Sequence, residues 1–314
     1  MHAKDKVARD AGELSGIGSG GLAATGVTAT ASLDEIVDLR PDCVLYMAGY
    51  PDLDELCRLL GAGINVVTTC GLFGHPPTMD PGVRDQVRAA CEAGGASIHS
   101  TGSSPGFITE AVPLVMTSIQ RRLERLTIDE YADLSRRNSP EPLFDLMGFG
   151  RAPAPFEEYR AAYLRSSFGS SLQLVADAIG LPLDGLAAGG ELATAARTTE
   201  IAAGTLRAGT VAAQRITVSG LRDGQPLLRF RATWYCDTDL EPAWEVLATG
   251  WHMSVEGDAP LEIDLRMPVP LERMAEVSPA YTANRAVNAV PYVCAAPPGS
   301  QSTLELPQVI ASLG

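Results

Sequence analysis

The chain has 314 residues, 46% hydrophobic and 20% charged, with a formal net charge of −14 and a pI near 4.7. That balance describes a folded protein of about two domains rather than a disordered segment. The acidic charge repels polyanions at long range, which excludes nucleic acid and anionic membrane surfaces as partners and leaves small molecules or further copies of the chain.

In chain order, residues 27–29 are expected as a short strand, and Ser32-Leu-Asp-Glu35 reads as a capping box in front of a helix. Residues 42–48 (DCVLYMA) form a near-continuous apolar run, as expected of a strand buried on both faces of a parallel sheet. A helix over 52–60 and a second buried strand over 64–70 (INVVTTC) follow. Asp80-Pro81 supplies an N-cap and a first-turn proline for a helix running to Ala93. Residues 96–100 (ASIHS) are a third strand, after which Gly102 to Gly106 turn the chain into another helix. This alternation predicts an α/β fold with right-handed crossovers and a doubly wound parallel sheet.

Near Arg125 the pattern changes. Residues 126–131 read as a strand leaving the first domain, and residues 139–155 (SPEPLFDLMGFGRAPAP) as a long loop of the kind that covers pockets. A helical stretch over 156–179 precedes strands at 211–219, 227–235, 250–255 and 261–267, with Arg222-Asp223-Gly224 as a hairpin turn. A final helix over 278–294 carries Tyr281, Asn284, Arg285 and Asn288 and is long enough to return to the first domain. The expected organisation is therefore 1–124 as a dinucleotide-type domain, 125–277 as an α+β substrate domain with a mostly antiparallel sheet, and 278–314 as a returning helix and tail.

No apolar run approaches the ~20 residues of a membrane span, and Met1 leads into His2, Ala3, Lys4, Asp5 and Lys6 without an apolar leader core, so a cytoplasmic location is expected. The six cysteines (Cys43, Cys57, Cys70, Cys91, Cys236, Cys294) form no C-x-x-C pair and read as reduced thiols. The four histidines make no ligand motif, so no metal is expected.

A doubly wound dinucleotide site normally opens with a strand, a G-x-G-x-x-G turn and a helix. Nothing before Val27 supplies that unit; Gly16-Ile-Gly18-Ser-Gly20-Gly21 has no apolar strand before it and reads as a surface loop. The expectation is a sheet lacking its first βαβ element. His2, Lys4, Lys6 and Arg9 then fall where a 2′-phosphate would be read, which favours NADP over NAD on charge; an ordinary solvated basic face accounts for them equally well.

Three segments carry a family likeness: residues 6–16 (KVARDAGELSG), 102–113 (GSSPGFITEAVP) and 284–299 (NRAVNAVPYVCAAPPG). In their order and spacing, over nearly the whole chain, the sequence resembles the dihydrodipicolinate-reductase-like family that contains 2,4-diaminopentanoate dehydrogenase and the native amine dehydrogenases. The resemblance implies an N-terminal Rossmann domain for NAD(P)H, a C-terminal α+β domain that covers the substrate and builds a homodimer, and a glutamate after the Pro-Gly turn that contacts the ammonia or imine nitrogen. Glu110 occupies that position. The chain has no His-His pair of the kind that marks true dihydrodipicolinate reductases, so that imine reductase activity ranks below reductive amination of a small ketone or aldehyde. A cofactor-free dimeric binding protein is the reading from another class.

In chemical terms a carboxylate beside an iminium stabilises charge that exists before hydride transfer, and it can take a proton from ammonium. The strand ends at Ala48-Gly49, Thr69-Cys70 and Gly102 are expected to line the cofactor crevice, with Asn288 reaching it from the final helix and Lys6 near the adenosine end. Without the likeness, turn chemistry explains the strand ends and a helix-surface contact explains Asn288. Phe144, Met147, Phe149 and Tyr163 are expected as an apolar substrate wall, with core packing the competing assignment for each.

Overall fold

The computed structural model describes residues 4–15, 24–48, 50–156 and 158–313. Helix α1 (Ala11–Leu14) is capped by Asp10, whose carboxylate accepts the Gly12 N–H at 2.8 Å and those of Thr25 and Gly26 at 3.0 and 2.9 Å. Those bonds bring the two segments together, yet residues 27–29 make only one isolated antiparallel bridge, Asp10 to Thr28, and not the expected strand. Three residues facing a capping turn have no partner long enough to extend a ladder.

Helix α2 (Leu33–Leu39) starts as expected at Ser32, whose hydroxyl accepts the Glu35 N–H at 3.3 Å. The reciprocal half of the capping box is relayed: Thr30 Oγ1 accepts the Ser32 N–H at 3.0 Å and donates to Glu35 Oε2 at 2.6 Å.

Strand β1 (Cys43–Tyr46), helix α3 (Leu53–Gly61), strand β2 (Asn65–Thr68), helix α4 (Pro81–Gly94) and strand β3 (Ser97–Ser100) follow in the expected alternation. After β3 come a turn and a wide helical coil through Ala111, then α5 (Val112–Thr117) and β4 (Leu123–Asp133). The segment expected as a loop over 139–155 contains a helical turn at Glu141–Leu146, closed by the Met147 N–H on the Pro142 carbonyl. Helix α6 (Glu158–Ala178) then leads to β5 (Gly185–Ala195), β6 (Thr199–Ile201), β7 (Gly204–Leu206), β8 (Val211–Arg222), β9 (Gln225–Tyr235), β10 (Leu240–Glu241), β11 (Gly250–Gly257), β12 (Leu261–Arg266), α7 (Leu271–Cys294) and β13 (Gly299–Gln301).

The first sheet is wholly parallel, in the order β1-β2-β3-β13. Alternation sorts its side chains: Val66 and Ile98 pack with Leu56, Leu59 and Leu60 of α3 and Val87 and Cys91 of α4, whereas Val67 packs with Ala286, Ala289 and Val293 of α7. Helices on both faces make this the doubly wound half of an α/β fold. Strand β1, expected to be buried on both faces, lies at the edge of the described sheet and leaves Leu45 exposed.

The second sheet is mixed, in the order β10-β5-β8-β9-β4-β11-β12, and every pairing but β4 with β9 is antiparallel. Helix α6 covers one face, where Phe168 stacks on Phe230 with centroids 4.0 Å apart. The expected Asp-Gly hairpin joins β8 to β9, with positive φ at Asp223 and Gly224. Helix α7 begins seven residues before the expected Ser278, at Leu271, and runs through Pro279. Ser278-Pro279 has the chemistry of a helix start, yet the helix continues through it at the loss of the one hydrogen bond that the proline removes.

Candidate active site

The carboxyl ends of β1, β2 and β3 lie side by side, so Ala48, Thr69, Cys70 and Gly102 follow adjacent parallel strands as expected of a crevice. Gly49 lies outside the described residues. Burial raises the Cys70 thiol, which makes it a neutral group and no nucleophile at neutral pH. Helix α7 is fastened over the end of β3, where Ser103 and Thr282 share a 2.7 Å hydroxyl contact. Asn288 lies further along α7, half-buried, and Lys6 is an exposed residue of the 3-10 turn Lys4–Lys6. Arg9, its neighbour in the expected basic cluster, pairs with Glu13 at 2.8 Å.

A cavity of about 740 Å³ lies between this crevice and the mixed sheet. Tyr50 and Ser103 line it from the parallel sheet, Met147 and Leu146 from the helical turn, and Leu271, Met274, Ser278 and Tyr281 from α7. Its floor is a row across the mixed sheet: Gln214 and Ile216 of β8, Trp234 of β9, Glu130 of β4 and Trp251 of β11. Met147 lines this cavity, and the Gln214 amide holds its carbonyl.

Phe149 is a correction: it is buried in the second core with Leu143, Ala193 and Tyr235, and Phe144 packs against the same cluster. The two rings close the end of the mixed sheet, because Gly148 and Gly150, both at positive φ, turn the chain inward there. Tyr163 is on α6 with its side chain outside the described residues.

Glu130 was not anticipated. It shares the inward face of β4 with Leu126 and Ile128, and its carboxylate accepts the indole N–H of Trp234 at 3.2 Å and of Trp251 at 2.8 Å. An acidic residue in phase with the apolar side of a strand was the available signal. Replacing it by leucine leaves two indole donors without an acceptor, so Glu130→Leu is expected to lower stability by about 2 kcal/mol in urea titrations, and a loss below about 0.5 kcal/mol contradicts this accounting.

Glu110 is buried in a polar cluster beside the turn that follows β3 and does not line the large cavity. Ser171 of α6 donates to its Oε1 at 2.6 Å, and Thr303, just past β13, donates to its Oε2. Burial pushes the carboxyl up to about 7, opposed by these two hydroxyls and by the charge of Arg285. Behind Ser171, Thr109 Oγ1 donates to its hydroxyl at 3.1 Å and accepts the Gly106 N–H at 2.9 Å. Thr303, Ser171 and Arg285 join Glu110 from distant segments, so no local motif announced them. Thr101 Oγ1 and Ser104 Oγ, at the end of β3, are buried without a hydrogen-bond partner.

Among the described residues no group of three His, Cys, Asp or Glu is placed to hold a metal ion, and no helix is long and apolar enough to cross a membrane. A parallel sheet with a crevice at its strand ends, set against a mixed sheet that floors a mainly apolar cavity, is a Rossmann-type α/β arrangement. The family model described as the 2,4-diaminopentanoate dehydrogenase C-terminal domain matches residues 148–314, and the chain belongs to that family. An amine dehydrogenase of Streptomyces virginiae is 26% identical over 324 residues, covering 98% of this chain and 88% of that protein. A solved structure of amine dehydrogenase from Mycobacterium smegmatis shares the fold with a TM-score of 0.77 at 20% identity, covering 98% of this chain and 88% of that one.

Proposed function

We propose that the chain is an NAD(P)-dependent amine dehydrogenase that aminates a small ketone or aldehyde reductively and deaminates the corresponding amine, with Glu110 holding the ammonia or iminium nitrogen. The observation that carries this reading is a carboxyl buried beside the turn ending β3 and held there by two hydroxyls; burial pushes it up to about 7, and a group that titrates at working pH can both accept and return a proton. Family membership and the Streptomyces relative support the reaction class.

The described residues fit the nicotinamide half of the cofactor. The unpartnered hydroxyls of Thr101 and Ser104 offer hydrogen bonds at the carboxyl end of β3, with Thr69, Cys70 and Gly102 beside them and Thr282 of α7 bonded to Ser103 there; Asn288 lies further along α7, towards the middle of the sheet. Among the described side chains of that basic cluster Lys6 is the candidate for a 2′-phosphate, and NADP and NAD are both retained. The bound dinucleotide supplies or accepts the hydride. The protein's residues manage the nitrogen: as a carboxylate Glu110 takes a proton from ammonium and releases neutral ammonia for attack on the carbonyl, gives a proton to the carbinolamine hydroxyl that leaves as water, and, a carboxylate again, balances the positive charge of the iminium. The Gln214, Ile216 and α7 side chains exclude water from the carbonyl.

Ser103, on the same turn as Glu110, lines the cavity, and the proposal requires this segment to bring carboxylate and nitrogen together. One observation favours a second reading: Glu130 is itself on the cavity wall, so it could hold the nitrogen instead. Oxidation of NADPH or NADH is expected only when a carbonyl compound and ammonia are both present, followed at the nicotinamide absorbance. Oxidation with carbonyl alone at an equal rate counts against amination. Loss of turnover in Glu130→Gln but not in Glu110→Gln selects the second reading.

A further inference from the structure

We infer that Thr303 and a small cavity beside it form the route by which protons travel between Glu110 and solvent, through ordered water. The inference rests on the acid–base role proposed for Glu110. A carboxyl that changes protonation in each turnover must exchange its proton, and Glu110 is closed off from bulk solvent.

Its two hydroxyl partners lead in different directions. On one side Ser171 donates to Glu110, Thr109 donates to Ser171, and Thr109 accepts a backbone N–H from Gly106. That chain ends at an amide hydrogen, which is not released at neutral pH, so it is a fixed anchor. On the other side Thr303 donates to Glu110 and also lines a cavity of about 190 Å³ between β3, α5, α7 and the C-terminal tail. That is room for several water molecules.

The same cavity is lined by two polar side chains with unmet bonding capacity. His99 is 1% exposed, and its Nδ1 lies 2.8 Å from the Gln301 carbonyl, which can only accept, so Nδ1 carries the proton and Nε2 presents a lone pair. Burial lowers His99 to about 4, which keeps the ring neutral. Nε2 has no partner, and neither does the buried Nε–H of Arg285, whose Nη1 is committed to the Val309 carbonyl at 3.0 Å. An acceptor, a donor and a hydroxyl around a cavity of this size are the two to four polar partners that an ordered water needs. The transfer is balanced: water gives a proton to Thr303 Oγ1 as Thr303 passes its own to the Glu110 carboxylate, and the reverse sequence removes it.

The test follows Glu110 itself and needs no turnover. The carbonyl stretch of the protonated carboxyl, assigned by its absence in Glu110→Gln, is followed by infrared after rapid mixing of protein held below neutral pH into D2O. Wild type and Thr303→Ser are expected to exchange at similar rates, and Thr303→Val about tenfold or more slowly. Val115→Trp, which fills the cavity from its exposed rim, is expected to slow exchange as well and serves if Thr303→Val does not fold. Unchanged exchange in folded Thr303→Val or in Val115→Trp overturns the route. Turnover retained in Glu110→Gln removes the catalytic reading while leaving the exchange result standing, so the two failures are distinct.

Discussion

Glu110→Gln is expected to lower kcat by about 10²–10⁴-fold, the usual contribution of a positioned acid–base group, with the dissociation constant for NADPH unchanged. Glutamine keeps the shape and can still accept from one of the two hydroxyls, so the loss reports charge and proton transfer rather than collapse of the cluster. The stability consequence has the opposite sign. The carboxyl titrates near 4.5 when unfolded and near 7 when buried, so below about pH 4.5 both states are protonated and nothing is lost. As pH rises through the interval the unfolded chain ionises first, and folding loses up to about 3 kcal/mol by the time pH passes the folded value. The glutamine variant lacks that slope. At pH 8 it should therefore melt higher than the wild type while being inactive, and the difference should vanish near pH 4.5. A variant that is both inactive and less stable at pH 8 would mean that the carboxylate is a structural ion held by Arg285 instead of a carboxyl kept poised by burial.

The parts of the fold that were legible in the sequence are those in which local chemistry and tertiary packing agree. The segments around Val66 and Ile98 became parallel strands because β-branched residues fit a sheet covered on both sides, and the run around Val44 joined them as the strand at the edge of the described sheet. Asp52 and Asp80 cap their helices as their residue types announce. Strand β5 was not legible: GLAAGGELATA has no β-branched residue until Thr194, and it is a strand because β8 pairs with it along its length. Strand β13, three residues long and directly after Pro297-Pro298, exists only through its register with β3. The site divides in the same way. Glu110 is reached through the family resemblance carried by residues 102–113, whereas Glu130 has its two indole donors from β9 and β11, and Thr303 meets Glu110 from 193 residues further along the chain. Phe149 failed because an apolar loop residue suits a pocket wall and a core equally, and only the inward turn at Gly148 and Gly150 decides between them.

The positioning of Glu110 rests on one backbone conformation, and Gly106→Ala is expected to cost about 2–4 kcal/mol and to reduce turnover even where the protein remains folded. Gly106 has φ of +118°, a region closed to L side chains, and a Cβ there would lie 2.7 Å from Thr101 Oγ1 and 3.2 Å from Thr101 Cα. The hydroxyl could rotate away; the backbone of Thr101 could not, since its N–H is bonded to the Thr68 carbonyl at 2.9 Å. Relief must come from the turn, and the Gly106 N–H that moves with it anchors Thr109, Ser171 and through them Oε1 of Glu110. Gly102→Ala provides the control. Gly102 has φ of −176°, ordinary extended backbone, and its Cβ would meet the Pro105 carbonyl and the Thr282 methyl at 3.2 Å each, a contact that a side-chain rotation of Thr282 half relieves. The ordering expected in chemical denaturation is wild type, then Gly102→Ala, then Gly106→Ala, and the Glu110 carbonyl stretch should shift only in the last. Equal losses in the two variants would show that crowding, and not the handedness of the turn, holds the carboxyl where it is.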